Sequence, residues 1–119
     1  MLTRDEVKKY ILSKSGAYED YPFGDDVPVF KVCNKMFGLF NSGNDELRVN
    51  LKSDPSEALY LRDNFEAIIP GYHMNKKHWN TVIIDGSLPD SMITELIDKS
   101  YMLVYSKLKK SEREILDKK

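Results

Sequence analysis

The chain has 119 residues, which is enough for one domain (1–119) and too few for two independent hydrophobic cores. Hydrophobic residues make up 41% and charged residues 31%, a balance that excludes a disordered chain, and no apolar run approaches the ~20 residues of a membrane helix. The net charge is −1, so the chain lacks the basic composition of a DNA-coating protein. Cys33 is the single cysteine and cannot form an internal disulfide, so we expect a cytoplasmic protein.

The first element is a helix with a clear beginning. Thr3 and Glu6 have the spacing of a capping box, and apolar residues follow at helical intervals up to Ile11. Gly16 is a natural stop, so the pattern predicts a helix over 3–15. An extended run at 17–24 follows, and then two runs rich in Val and Phe at 27–34 and 35–41. A hairpin is predicted around Asn34 and Lys35, and a further turn at 42–45.

Residues 46–52 alternate strictly between apolar and polar side chains, which predicts a strand with one buried and one solvated face. The buried set is Leu47, Val49 and Leu51, and the solvated set is Arg48, Asn50 and Lys52.

Capping signals predict two more helices. Asp54 and Pro55 start one that reaches about Asn64, and the Ser87–Asp90 segment starts a long final helix. Residues 65–77 form a connection, 78–85 a strand, and the tail a short terminal turn of helix. This order predicts an α+β fold, an antiparallel sheet with helices packed on one face and the opposite face solvated and available.

Catalytic and metal-binding chemistry lack the residues they need. His73 and His78 are five residues apart with no cysteine or acidic cluster, a spacing that matches none of the usual zinc patterns. Cys33 has no local activating motif, and the paired carboxylates lie in turn segments. We therefore expect no enzyme activity, no metal and no cofactor.

An interaction surface is the leading hypothesis. If the strands are neighbours, five cations could form a local positive patch for phosphate contacts, with an imidazole and two amides as hydrogen-bonding partners. The predicted cations are Lys31, Arg48, Lys52, Lys76 and Lys77, and the polar partners are Asn75, Asn80 and His78. The expected partner is double-stranded DNA, bound weakly and in a salt-sensitive manner, and no membrane. The alternative is that these residues only solubilise a sheet face.

Two other interpretations of the segment 70–82 remain open. It could line a pocket for a small anionic ligand or an acidic segment of a protein, through Tyr72, His73, Asn75, Lys76, His78 and Trp79. It could instead be structural, with Trp79 in the core and the asparagines tying the connection to the sheet. A concave pocket at the segment would favour a ligand, and a continuous positive face would favour nucleic acid.

Several segments together resemble the MmcQ/YjbR-like family of small bacterial proteins. They are YPFG at 21–24, VFKV at 29–32, KMFGLF at 35–40, VNLKSDP at 49–55, PGYHMNKKHWNTV at 70–82, DGSLPD at 85–90 and LIDKSYMLV at 96–104. The resemblance runs from the first helix to about Leu108. It implies a frataxin-like (CyaY-like) α+β fold and DNA binding through a double-wing arrangement. Iron binding is not carried over, because the first helix has mixed charge.

Overall fold

The structure, a computed structural model, describes residues 1–42, 46–71 and 74–118. Its helices are α1 (Arg4–Leu12), α2 (Pro55–Asn64), α3 (Asp90–Tyr105) and α4 (Lys110–Asp117). Its strands are β1 (Tyr18–Asp20), β2 (Val29–Val32), β3 (Lys35–Phe40), β4 (Arg48–Lys52), β5 (Ile68–Pro70) and β6 (Trp79–Ile83).

The strands form one six-stranded sheet in the order β1-β2-β3-β4-β6-β5, and every neighbouring pair is antiparallel. The predicted α+β class with an antiparallel sheet is therefore confirmed. Within the described residues, no helix has both the length and the apolar character needed to cross a membrane.

Helix α1 begins as the sequence predicts and ends earlier. The Thr3 hydroxyl accepts the amide hydrogen of Glu6, and the Glu6 carboxylate accepts that of Thr3, which completes the capping box. The helix ends at Leu12, and the C-cap residue Ser13 donates its hydroxyl hydrogen to the carbonyl of Tyr10. Gly16 follows with φ +73°, a left-handed conformation that favours glycine, and the Leu116 side chain of α4 packs over it.

The hairpin between β2 and β3 is present, and its turn lies one residue earlier than predicted. Cys33 and Asn34 have φ values of 48° and 66°, so they form a two-residue left-handed turn. Cys33 therefore belongs to the turn and not to the end of a strand. The predicted turn at 42–45 falls mostly on residues 43–45, which lie outside the described residues.

One face of the sheet packs against the helices. Phe40, Val49, Val82 and Ile68 share a cross-strand row and are buried. The Arg4 guanidinium of α1 lies 4.9 Å from the Phe40 ring centroid. The Ser100 hydroxyl of α3 donates to the carbonyl of Phe37 at 2.6 Å. Leu47, Val49 and Leu51 are all buried as predicted.

The opposite face, expected to be solvated, is partly covered. Its central row contains Leu39, Asn50, Thr81 and Ile69. Asn50 is only 8% exposed and Thr81 only 2%, so the expectation of a fully solvated face is wrong at these two residues. Their polar side chains are accommodated by hydrogen bonding, since the Thr81 hydroxyl donates to Asn50 Oδ1 at 2.6 Å.

The predicted connection 65–77 contains a strand. β5 (Ile68–Pro70) pairs with β6 and forms an edge of the sheet, where the proline needs no donor on its outer side. Helix α2 has the predicted bounds, since the Asp54 carboxylate caps the amide groups of Ser56 and Glu57. Helix α3 and the short α4 occupy the predicted places near the C-terminal end of the chain.

Candidate functional site

Three lysines meet where β3, β4 and α3 come together. Lys35, Lys52 and Lys107 line one shallow hollow of about 300 Å³, together with Met36 and Val104. None of these lysines forms an ion pair with another residue in the described parts of the chain. Burial lowers the pKa of Lys52, and the neighbouring charges of Lys107 and Lys35 lower it further. The hollow therefore carries concentrated positive charge.

The two lysines of the 70–82 segment lie at the same end of the β4–β6 ladder as Lys52. Lys52 pairs with Trp79 across the β4–β6 ladder, and Trp79 follows Lys77 by two residues. The Asn75 carbonyl accepts the amide hydrogens of His78 and Trp79, and Asn75 Oδ1 accepts that of Lys77 at 3.0 Å. These bonds fold 75–78 into a tight turn on which Lys76 and Lys77 are exposed. We call Lys35, Lys52, Lys76, Lys77 and Lys107 the basic end of the sheet.

Two predicted cations do not join the basic end. Lys31 donates to the Asp20 carboxylate at 2.7 Å, and this bond raises the pKa of Lys31. Arg48 lies 3.6 Å from the Glu46 carboxylate. Arg48 also begins β4 while Lys52 ends it, a separation of about 13 Å at ~3.3 Å per residue. Two of the five cations predicted to form a local positive patch, Lys31 and Arg48, are therefore compensated by neighbouring carboxylates.

Asn80 does not offer its amide to the solvated face. The side chain is 2% exposed and points to the helix side, where its Nδ2 donates to the Ala58 carbonyl of α2 at 3.2 Å. The strand alternation that puts Val82 against the helices also puts Asn80 there. The prediction that Asn80 contacts a partner on the open face is therefore wrong, because its side chain is buried on the helix side.

His78 is half-buried directly before β6, and its carbonyl accepts the amide hydrogen of Ser53 at 2.8 Å. The pKa of the nearby Asp54 carboxyl is lowered, first by the Ser56 hydroxyl and the Glu57 amide and last by the charge of His78. His78 therefore links the turn 75–78 to the start of α2.

The alternative pocket set is only partly described. Tyr72 and His73 lie outside the described residues, so the pair of histidines considered for a metal, His73 and His78, is described only at His78. Trp79 is 8% exposed, which confirms its predicted place in the core, while Asn75 and Lys76 are exposed. No cluster of three or more His, Cys, Asp or Glu side chains suited to a metal occurs among 1–42, 46–71 and 74–118.

A cleft of about 860 Å³ lies on the open face of the sheet. Leu39, Asn50 and Thr81 line it from the sheet, and Phe23, Val27 and Met74 line it from the two flanking loops. The polar side chains of Arg48, Glu46, Asn41 and Ser42 line the same cleft. Sequence reasoning missed Phe23 and Val27. The sequence signal for them was the presence of apolar residues among the turn-forming residues of 21–28. The structure leaves Phe23 66% exposed, as is typical of a residue at a binding surface.

Sequence comparison identifies relatives over nearly the whole chain. A family model described as YjbR matches residues 12–103. The uncharacterized protein YjbR of Escherichia coli is 34% identical over 115 residues, which cover 97% of this chain and 98% of that protein. The uncharacterized protein YyaQ of Bacillus subtilis is 32% identical over 119 residues, covering 87% of this chain and 98% of that protein.

Solved structures share the fold. The crystal structure of the Deinococcus radiodurans protein DR2400, with its DUF419 domain, superimposes with a TM-score of 0.90 at 39% identity. That superposition covers 98% of this chain and 89% of the other. A crystal structure of a Pseudomonas syringae protein gives a TM-score of 0.74 at 29% identity, over 86% of this chain and 98% of that one.

Proposed function

The chain belongs to the YjbR family, and we propose that it is a non-enzymatic, cytoplasmic binding protein that holds the phosphates of double-stranded DNA at the basic end of its sheet. The observation that carries the proposal is the group of Lys35, Lys52 and Lys107 around one hollow without an acidic partner among the described residues. Unpaired ammonium groups gathered around one hollow suit phosphate groups, since lysine contacts phosphate as a compact point charge.

The net charge of −1 limits how strong this binding can be. Acidic residues elsewhere repel the duplex, so few phosphates are neutralised, and the complex is weak and confined to low salt. The contacts are to the backbone and carry little sequence preference, because no amide of the predicted set other than Asn75 stands exposed beside the lysines.

The proposal includes a frataxin-like fold with a double-wing arrangement, as the family resemblance implies. The order of one helix, an antiparallel sheet and a long helix packed on the same face supports it. A shared fold does not determine function, so the proposed DNA binding rests on the lysines of the basic end.

A titration of fluorescently labelled duplex at low salt tests the proposal. We expect Lys35→Ala/Lys107→Ala and Lys76→Ala/Lys77→Ala to weaken binding. Each double variant should reduce the slope of log K against log salt by about 2 if both lysines meet phosphates. Lys9→Ala/Arg62→Ala, which removes two positive charges elsewhere, should bind as the unmodified chain does. Absence of binding by the unmodified chain, or equal loss in all three variants, would contradict the proposal.

A second candidate is ligand binding in the cleft on the open face. Its concave shape and its apolar walls fit a small aromatic molecule better than a duplex. The Arg48 guanidinium lies 3.6 Å from Glu46 and is 42% exposed, so it can still pair with an anionic group of that molecule. The matching probe is 8-anilinonaphthalene-1-sulfonate, whose fluorescence rises in apolar surroundings. We expect Arg48→Gln to weaken the binding of this probe several-fold and Lys9→Gln to leave it unchanged. Equal fluorescence titrations for both variants would remove the cleft as an anion site.

A further inference from the structure

The floor of the cleft on the open face contains one amide group whose donor has no partner. Asn50 lies in the central row of the sheet, lines this cleft and is 8% exposed. Its Oδ1 accepts the hydrogen of the Thr81 hydroxyl at 2.6 Å, which sets the orientation of the amide. Within 1–42, 46–71 and 74–118, no atom accepts a hydrogen from Asn50 Nδ2.

This donor faces the cleft and not the closed interior of the protein. Among the described side chains, Asn80 Oδ1 is the unpaired polar atom that is shut off from solvent, and Asn50 Nδ2 is not one of this kind. The space that the Asn50 side chain borders is the cleft. A largely desolvated donor without a partner gains free energy when a ligand supplies an acceptor.

A cation lies on the same face, two residues from Asn50 along β4. Alternation places Arg48 and Asn50 side by side, with their Cα atoms about 7 Å apart at ~3.3 Å per residue. Glu46 approaches the Nη2 atom of Arg48 at 3.6 Å, while Nε and Nη1 pair with no residue in the described part of the chain. The guanidinium therefore has donors left for a carboxylate.

Apolar side chains enclose the space beside these two polar groups. Leu39 lines the cleft from β3, Phe23 and Val27 from the loop between β1 and β2, and Met74 from the segment before β6. Such walls suit an aromatic ring. The spacing of Arg48 and Asn50 is comparable with the span of a benzene ring that carries two opposite substituents.

We propose that the cleft binds a small aromatic carboxylate that has a hydrogen-bond acceptor, such as a carbonyl oxygen, on the opposite side of its ring. Arg48 pairs with the carboxylate, the apolar walls hold the ring, and Asn50 Nδ2 donates to the acceptor. Asn50 is thus the residue that determines specificity. This inference rests on the second candidate function, ligand binding in the cleft, and does not depend on DNA binding.

Two probes of the same shape and charge test the proposal: 4-acetylbenzoate and 4-isopropenylbenzoate. A carbonyl oxygen in the first is replaced by a CH₂ group in the second, so they differ in the acceptor. Titration of each into ¹⁵N-labelled protein, followed by NMR, reports binding at the Asn50 side-chain amide. We expect 4-acetylbenzoate to bind about tenfold more tightly and to shift that amide, since it alone meets the donor.

Variants of the two polar residues separate their roles. Asn50→Leu should bind both probes equally, because the donor is gone. Arg48→Gln should weaken both probes several-fold and keep their ratio, while Lys9→Gln, which removes a charge elsewhere, should change neither. Because Asn50→Leu also removes the bond from Thr81, its folding is checked first, and the ratio of the two probes on the unmodified chain decides if it fails to fold.

A second pair of variants locates the site. Phe23→Ala removes an exposed wall of the cleft and should weaken both probes, and Leu59→Ala, at an exposed position of α2 outside the lining, should weaken neither. Equal affinity of the two probes for the unmodified chain, with both weakened by Phe23→Ala, would retain the cleft as a ligand site and overturn the role of Asn50. Absence of binding by either probe, or shifts confined to residues outside the cleft, would overturn this proposal and the second candidate function together.

Discussion

Gly71 follows β5 directly and packs closely against Trp79 at the start of β6. It is buried, and its amide donates to the Trp79 carbonyl at 2.9 Å. A Cβ atom at this position would lie 2.8 Å from Trp79 Cβ and 2.9 Å from the Trp79 carbonyl oxygen. The second of these is backbone, which cannot rotate away. The segment therefore needs glycine here for space.

We predict that Gly71→Ala destabilises the fold by about 1–3 kcal/mol, the usual cost of overpacking. Urea denaturation measures the free energy of unfolding. Gly38→Ala is the matched control, because Gly38 is also buried beside the sheet and its new Cβ would meet Leu51 at an ordinary 3.6 Å. We expect this control to be neutral or stabilising by up to about 1 kcal/mol. If both variants lose the same stability, the close approach to Trp79 is not the cause.

Helices were predictable at the scale of elements because their signals are local. Asp54 and Pro55 fix the start of α2, and the Thr3–Glu6 box fixes that of α1. β5 was missed for the opposite reason: three residues are too few to show a period, and the strand exists only through its pairing with β6. The end of α1 was also missed, because Gly16, the stop signal in the sequence, lies four residues beyond Leu12, the last helical residue.

The candidate site was predictable only in part. The sequence named Lys52, Lys76 and Lys77, which lie at the same end of the β4–β6 ladder. It could not name Lys35 or Lys107, because their approach depends on where α3 crosses β3 and β4. It placed Lys31 and Arg48 in the patch because the alternation of side chains along one strand does not reveal their ion-pair partners. The partner of Lys31 is Asp20 on the neighbouring strand, and the partner of Arg48 is Glu46, which precedes β4. The alternation of side chains along β6 also did not show which face of the sheet the Asn80 side chain occupies.

For the whole molecule, the distribution of charge matters more than its sum. Several carboxylates are held by hydrogen bonds across the structure, and each has a pKa below its ordinary value. The largest cause of each lowered pKa is one donor: Thr3 for Glu6, Lys31 for Asp20, Ser56 for Asp54 and Ser87 for Asp85. A lowered pKa means that folding favours the ionised form. The stability from these groups is therefore present above their ordinary values of 4.5 for Glu and 3.8 for Asp, and is lost as the pH falls through the lower folded values.

We predict that the melting temperature changes little between about pH 8 and about pH 6 and falls steeply below about pH 4.5, where these carboxylates begin to bind protons on unfolding. Thermal unfolding followed by circular dichroism measures it. Replacing the four carboxyls, by Glu6→Gln, Asp20→Asn, Asp54→Asn and Asp85→Asn, should lower the melting temperature at neutral pH and flatten its acid dependence. The control removes four exposed carboxylates that accept no hydrogen bond within the described residues, by Asp25→Asn, Asp26→Asn, Asp63→Asn and Glu114→Gln. It changes the net charge equally, so an identical acid dependence in the two variants would show that total charge, and not these hydrogen bonds, governs acid unfolding.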